Sequence, residues 1–355
     1  TPNEFAGAGS LQQNNRLGNE DLVPERTKEF EIGADLSFWN DRAGLLFSYY
    51  SQKIEDLIVT RVLAPSIGGA SRTENVGSME NKGLEIYARI TPIKTPDFTW
   101  DVNVNFSTNK NKVLKTIGGD ITVATVAGAT PIVREGEPLG VFYGTYFAKD
   151  DNGELILSGP SDTGAPVGVP QQERGDAATG IAQRDANGQP TGDALRKIIG
   201  DPNPDYIMGI GTDLKYKNFG FSMLWESVQG FDVFDADKRT RQGVGLGRLS
   251  AQELSGDLPR GYIAGIYPIE QFRIEDGSFV KLREIALSYT FDSLFNNSLK
   301  DVEVSLIGRN LISFDNFWSF DPETNAGGQS NLLRAVNFGN VPIPSTFALS
   351  ISTKL

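Results

Sequence analysis

"TKEFEIGADLSFW", residues 27–39, alternates almost without a break. Phe30, Ile32, Ala34, Leu36 and Phe38 fall on one side; Glu29, Glu31, Gly33, Asp35 and Ser37 fall on the other. Side chains of a β-strand point alternately to its two faces, so this run is a strand with one apolar and one acidic, wet face. In a β-sandwich the apolar face points at a protein core. In a membrane barrel it points at lipid.

Composition leaves both readings open. Hydrophobic residues make up 39% of the 355, and a membrane barrel has a similar average because half of each strand faces water. No run approaches the roughly 18 consecutive apolar residues of a transmembrane helix. There is no Cys and no His, which removes disulfides, thiol chemistry, the commonest general base and the commonest transition-metal ligand. A net charge of −12 argues against nucleic acid as a partner. The opening "TPNEFAGAGSLQQNN" lacks the basic and apolar regions of a signal peptide; either a mature chain starts here or this is part of a longer one.

Strands of the same kind recur at 43–59, 82–93, 98–109, 205–217, 219–230, 278–291, 302–314 and 345–355. The cleanest, "FTWDVNVNFSTN", sets Phe98, Trp100, Val102, Val104 and Phe106 against Asp101, Asn103, Asn105 and Ser107. About nine strands of roughly ten residues are long enough to cross a hydrocarbon layer at a tilt. Short connections (40–42, 94–97, 218–219, 292–301) alternate with long ones (60–81, 110–204, 231–277, 315–344). Outer-membrane barrels have that pattern, with short periplasmic turns and long extracellular loops. Phe38, Trp39, Phe98, Trp100, Phe219 and Phe291 gather near the short turns, as an interfacial girdle or as ordinary core aromatics. The fold expected is therefore all-β: an antiparallel transmembrane β-barrel with residues 110–204 as a large extracellular excursion. Glu29, Glu31, Asp35, Glu85, Arg89, Asp101, Asn103 and Arg309 are expected to face the lumen. In "FVKLREIALSYTF", Lys281 and Arg283 share parity with the outward Ile285 and Leu287. Without a bulge they would sit at the rim, against lipopolysaccharide head groups or simply in solvent. The first and last strands run in the same direction, so they cannot pair antiparallel. Residues 1–355 are then expected to be the C-terminal part of a larger barrel, closed by earlier strands. In the last strand Phe347, Leu349, Ile351, Thr353 and Leu355 should point outward.

Seven segments occur in an order that carries a resemblance: "LVPERTKEFEIGADLSFWNDR", "NVGSMENKGLEIYARI", "GEPLGVFYGTYF", "IGDPNPDYIMGIGTDLKYKNFGFSMLWESVQGFDVF", "IEDGSFVKLREIALSYTF", "VSLIGRNLISFDNF" with "DPETN", and "STFALSISTKL". Together they resemble the C-terminal half of the SusC/RagA-type TonB-dependent outer-membrane transporters of Bacteroidetes. The resemblance implies a barrel of about 22 strands with a plugged lumen, of which these are about the last nine. It implies import of an oligosaccharide or oligopeptide across the outer membrane. It also implies a SusD-like surface lipoprotein as partner, and TonB engaged through the N-terminal half.

The residues have physical readings of their own. Gly83 permits a bend or a close backbone approach; the prolines of "IGDPNPDY" stiffen the start of a strand; "EDGSF" delivers another from a turn. "VFYGTYFAKDDNGELIL" (141–157) reads as a hairpin around Asn152-Gly153. Asp185, Asn187, Gly188 and Asp193 resemble a calcium loop, but Gln189 and Pro190 interrupt the ligand spacing, so a plain turn is expected and no cofactor. Without His, a Ser nucleophile has no such base, and no carboxylate pair is readable, so no enzyme is expected. Tyr143, Tyr146, Phe147, Tyr262, Phe317 and Trp318 are candidates for stacking on sugars or gripping peptides; girdle and loop packing are their other reading. A structural or partner-docking barrel and a secreted β-sandwich adhesin are the competing functions.

Overall fold

The computed structural model describes residues 2–5, 8–11, 16–63, 66, 71–159, 167–294, 299–330 and 332–354. Nine strands form one sheet: β1 (Arg26–Phe38), β2 (Ala43–Glu55), β3 (Gly77–Lys94), β4 (Phe98–Thr116), β5 (Tyr206–Tyr216), β6 (Phe219–Gln229), β7 (Phe279–Leu294), β8 (Leu299–Asp315) and β9 (Thr346–Lys354). Each pairs antiparallel with its neighbour in the chain and with no other strand of this sheet. β1 and β9 are the two edges and do not pair with each other. Leu355 lies outside the described residues, and β9 pairs with β8 through Leu306 opposite Leu349.

Register lines up the alternation of one strand with that of the next. Ile32 opposes Tyr49, which opposes Leu84; Ala88 opposes Val104, which opposes Ile210 and through it Trp225. Leu287 opposes Leu306 and Leu349 follows. The result is one continuous apolar face. Among the described residues nothing covers it: Phe30 is 63% exposed, Leu306 57% and Leu349 66%. A β-sandwich buries that face, whereas a barrel wall presents it to lipid. At the short-turn end a row of rings crosses the wall. Phe98 meets Tyr216 at 6.5 Å, Phe219 meets Tyr289 at 4.6 Å, and Tyr289 meets Phe291 at 4.7 Å. The tight turn after β1 takes Trp39, Asn40 and Asp41 through positive φ, and Trp39 stands 71% exposed at its tip.

One expectation fails here. β7 contains a bulge: against β6, consecutive Leu224 and Trp225 pair with Glu284 and Leu282, leaving Arg283 as the extra residue, and opposite it β8 leaves both Asn310 and Leu311 out of register. An extra residue reverses the facing of everything beyond it. Lys281 therefore opposes Glu226 and Ser313 on the polar face. It is 6% exposed and bonded to Asp321 and Glu323, so neither Lys281 nor Arg283 stands outward toward lipopolysaccharide.

β3 and β4, with 18 and 19 residues, exceed the roughly 9–11 that span a bilayer. Their far ends leave the wall and join a core of soluble type, where Met79 opposite Val113 packs with Leu57, Val59, Val76, Ile121 and Val133. The segment from β4 to β5 folds on that core. Its four-stranded sheet orders Ile121–Thr122, Pro131–Val133, Val141–Thr145 and Arg196–Gly200. The hairpin at Asn152-Gly153 is present but shorter than 141–157. Asp150 accepts from the amides of Asn152 and Glu154 (both 2.9 Å) and Lys149 bridges Leu155. Val141–Thr145 pairs instead with Arg196–Gly200, because Val141 and Phe142 are buried and need a sheet on the core. At 185–190, Asp185 accepts from the amides of Asn187 and Gln189 (2.8 Å each), and Asp193 lies in a strand opposite Gly175. Between β6 and β7 three short helices follow, α1 (Ala236–Gly243), α2 (Arg248–Ser255) and α3 (Tyr262–Ile266).

Candidate functional site

The polar face of the sheet collects the expected residues. Glu29 accepts from Gln52 at 2.7 Å, Glu31 from Ser48, and Glu284 pairs with Arg309 at 2.7 Å. Asp101 stands opposite Asp213. Glu29, Glu31, Asp35, Glu85, Arg89, Asp101, Asn103 and Arg309 all share this face by register. Larger side chains lie flat on glycines of the adjacent strand: Tyr50 on Gly83, Arg89 on Gly44, Asn103 on Gly211 and Asn105 on Gly209. Glycine is needed because a Cβ would occupy the space of the overlying group. Gly83→Val is expected to destabilise by about 1–3 kcal/mol through overpacking, read as lowered thermal stability of the assembled barrel. Tyr50→Ala should recover only part of the loss, since the Thr108 carbonyl also crowds that position.

At the end opposite the short turns, the connection between β8 and β9 folds back and is latched to β6 and β7. The Lys281 ammonium donates to Asp321 Oδ1 and Glu323 Oε2, both at 2.6 Å. Arg283 donates to Glu323 at 2.7 Å and also pairs with Glu226. Burial alone would push the Asp321 carboxyl up, but the Lys281 bond and the amides of Ile343 and Glu323 hold it below the usual carboxylate range. Glu323 is held low in the same way by Arg283 and Lys281, against its own burial. Next to the latch, fully buried Asp235 caps α1 through the Lys238 amide at 3.2 Å and accepts from Asn337 at 2.9 Å; Asn337 accepts from Thr324 at 3.0 Å. The Lys238 side chain pairs with Glu275. The segments "FDVFDADK", "EDGSFVKLRE" and "DPETN" are thus partners in space, a role that no one of them announces alone. Deeper in the same layer, burial with Arg239 nearby brings the Arg273 guanidinium down to about 10, and both arginines stack on Tyr267 at 5.6 and 4.9 Å.

Between the latched segment and the polar face lie two cavities. One of about 420 Å³ is bounded by Pro204, Ile207, Val228, Phe231, Phe279 and Arg334. The other, about 250 Å³, is bounded by Tyr50, Glu85, Asn109, Pro204, Ile207 and Arg334. The six candidate aromatics line neither. Tyr143 stacks between Arg134 at 4.8 Å and Arg196 at 5.5 Å. Lys197 sits 4.1 Å over Tyr146, whose phenol burial and Glu173 push up. The Phe147 amide donates to Gln271 at 3.1 Å. These three lie together along one stretch of chain. Phe317 is buried, and Trp318 packs under Lys238 and Arg241 at 5.1 and 5.4 Å. Tyr262 stands apart at the start of α3, its phenol pushed up by burial. Arg334, common to both cavities, carries no motif in "NLLRAVNFGN" that would single it out.

Comparison with known proteins agrees with this architecture. Residues 2–311 match the family model described as TonB dependent receptor-like, beta-barrel. A TonB-dependent receptor of Formosa agariphila is 31% identical across 99% of this chain and 36% of its own length. The TonB-dependent receptor SusC of Bacteroides thetaiotaomicron is 27% identical across 88% of this chain and 31% of its own. The chain therefore spans about a third of the length of these relatives. A solved structure of the RagAB peptide transporter superposes over 99% of this chain and 38% of that one, with a TM-score of 0.74 and 20% identity, which shows a shared fold. The chain belongs to the TonB-dependent receptor-like β-barrel family, whose members lie in the outer membrane.

Proposed function

We propose that this chain is one wall of a barrel that imports an oligomeric nutrient, an oligosaccharide or oligopeptide, across the outer membrane. The sheet closes with strands outside residues 1–355, and TonB engages a part of the protein outside this chain. The family is one of receptors and transporters rather than enzymes. The observation that carries the reading is the division of one continuous sheet into an uncovered apolar face and a polar face that opens, at one end, into two cavities. Such a wall separates lipid from an aqueous path, and the cavities sit where a ligand arriving from outside would first lodge. The acidic residues Glu29, Glu31, Asp35 and Asp101 then line the lumen. A SusD-like lipoprotein seats on the long connections, where Val244, Leu246 and Leu254 are exposed at 67%, 61% and 87%.

Uptake tests the reading. Cells carrying the full-length protein should accumulate fluorescent oligosaccharide or peptide pools, and deletion of either the protein or TonB should abolish that accumulation. Accumulation unaffected by either deletion would leave a partner-docking barrel in its place. Co-purification of a lipoprotein with the full-length protein checks the lid.

A further inference from the structure

We infer that Arg334 is the carboxylate anchor of a peptide-binding site formed by the two cavities, an inference that rests on the import reading and names its substrate class. The sequence carries a net charge of −12, and the cations of the latch are paired within the protein: Lys281 and Arg283 with Asp321, Glu323 and Glu226, Lys238 with Glu275, Arg241 with Asp235. Arg334 differs. It is exposed, it borders both cavities, and among the described residues its guanidinium has no hydrogen-bond or ion-pair partner. A planar guanidinium presents a fork of donors that matches a carboxylate bidentately.

The walls select the rest of the ligand. The larger cavity offers Ile207, Val228, Phe231 and Phe279 beside prolines 202, 204 and 322. Thr324, Asn325, Gln329 and Ser330 line its other side, so the cavity takes an apolar side chain on one wall and hydrogen-bonds a polar backbone on the other. The smaller cavity adds Glu85, whose carboxylate likewise lacks a hydrogen-bond or ion-pair partner among the described residues. A peptide carries a carboxylate at one end, an ammonium at the other and apolar side chains between. It satisfies Arg334, Glu85 and both the apolar and the polar wall of the larger cavity together. A neutral oligosaccharide satisfies neither charge.

The test uses the full-length protein, immobilised in detergent. The probes are a tryptic digest of casein, the same digest with its carboxyl groups amidated, and trigalacturonic acid, with retained species identified by mass spectrometry. Wild-type protein should retain free-carboxyl peptides at least about tenfold over their amidated forms, the scale of one charge-assisted pair. Arg334→Gln should abolish that preference and Arg334→Lys should keep part of it. Among the described residues Arg334 makes no hydrogen bond or ion pair, so unchanged thermal stability of both variants accompanies the expected result. Equal retention of free and amidated peptides, a preference that survives in Arg334→Gln, retention of trigalacturonic acid alone, or retention of nothing would each overturn the assignment. Any of these leaves TonB-dependent accumulation intact as a separate readout, so failure of the site is distinguishable from failure of the import reading.

Discussion

Lys281→Met should release the connection between β8 and β9 at a cost of about 3–5 kcal/mol, the range for removing one partner of a buried charge pair. The Lys281 side chain is 7% exposed and its ammonium holds two carboxylates. Without it Arg283 still serves Glu323, but Asp321, 6% exposed, is left with only the amides of Ile343 and Glu323. Protease cleavage within 316–345 of the assembled protein, absent in the wild type, is the expected readout. Lys281→Met with Asp321→Asn should be more resistant than Lys281→Met alone. Protons should do to the wild type what the substitution does. Both carboxyls are held below their ordinary values, so their contribution is present above the unfolded carboxylate range near pH 4 and is lost as pH falls through the lower folded values. Pepsin should therefore begin to cut the segment only well into acid. A segment equally resistant in Lys281→Met and wild type would show that the ion pairs hold nothing.

Val102→Arg should cost about 2–4 kcal/mol of assembly if Val102 lies near the bilayer midplane, the depth-dependent penalty for a cation on the lipid face of a barrel. Val102 lies four residues into β4 (Phe98–Thr116), between Ile90 of β3 and Thr212 of β5. Its row holds the apolar side chains of neighbouring strands, so an ammonium or guanidinium there meets hydrocarbon. Asn103→Arg, one residue on, points to the opposite face and should assemble far better. The fraction of protein migrating as folded barrel in unheated gels measures both. Cysteine at each position supplies the check: a water-soluble thiol reagent should reach 103 and not 102, and the reverse pattern would invert the wall.

Alternation made the wall legible, because period two is a property of each strand by itself. The runs around Phe30 and Val102 announce their faces without help from any partner, and turn residues such as Asn40 and Asp41 mark where a strand ends. The bulge at Arg283 left no such mark. A single additional residue in "VKLREI" keeps the composition and only shifts the register against β6, which is distant in sequence. The latch was hidden for a similar reason: Lys281 and Asp321 are 40 residues apart, and only the fold shows that "VKLRE" and "DPETN" neutralise each other. Aromatics in long connections carried two readings, ligand contact and loop packing; Tyr143, Tyr146 and Trp318 each have a cation of the protein's own layer over the ring. Val141–Thr145 looked like half of a local hairpin because nearby turn chemistry at Asn152-Gly153 is strong. Its partner, Arg196–Gly200, lies beyond the reach of local reading.

Pairing every wall strand with its chain neighbour makes assembly a question of how soon neighbours meet. Two residues join β5 to β6, so that hairpin closes at little entropic cost, while each doubling of a connection adds about 0.6 kcal/mol. By length alone, β4 and β5 should be the slowest neighbours to find each other. The soluble layer shortens the search. Phe142 pairs with Gly200, and Gly200 stands just before β5 (Tyr206–Tyr216), while Val113 near the end of β4 is already embedded in the core that carries the same layer. Once that layer has folded, the effective separation between the two strands is a few residues at either end. The excursion then works as a splint: its own sheet and core hold the start of β5 beside the end of β4 without help from the wall.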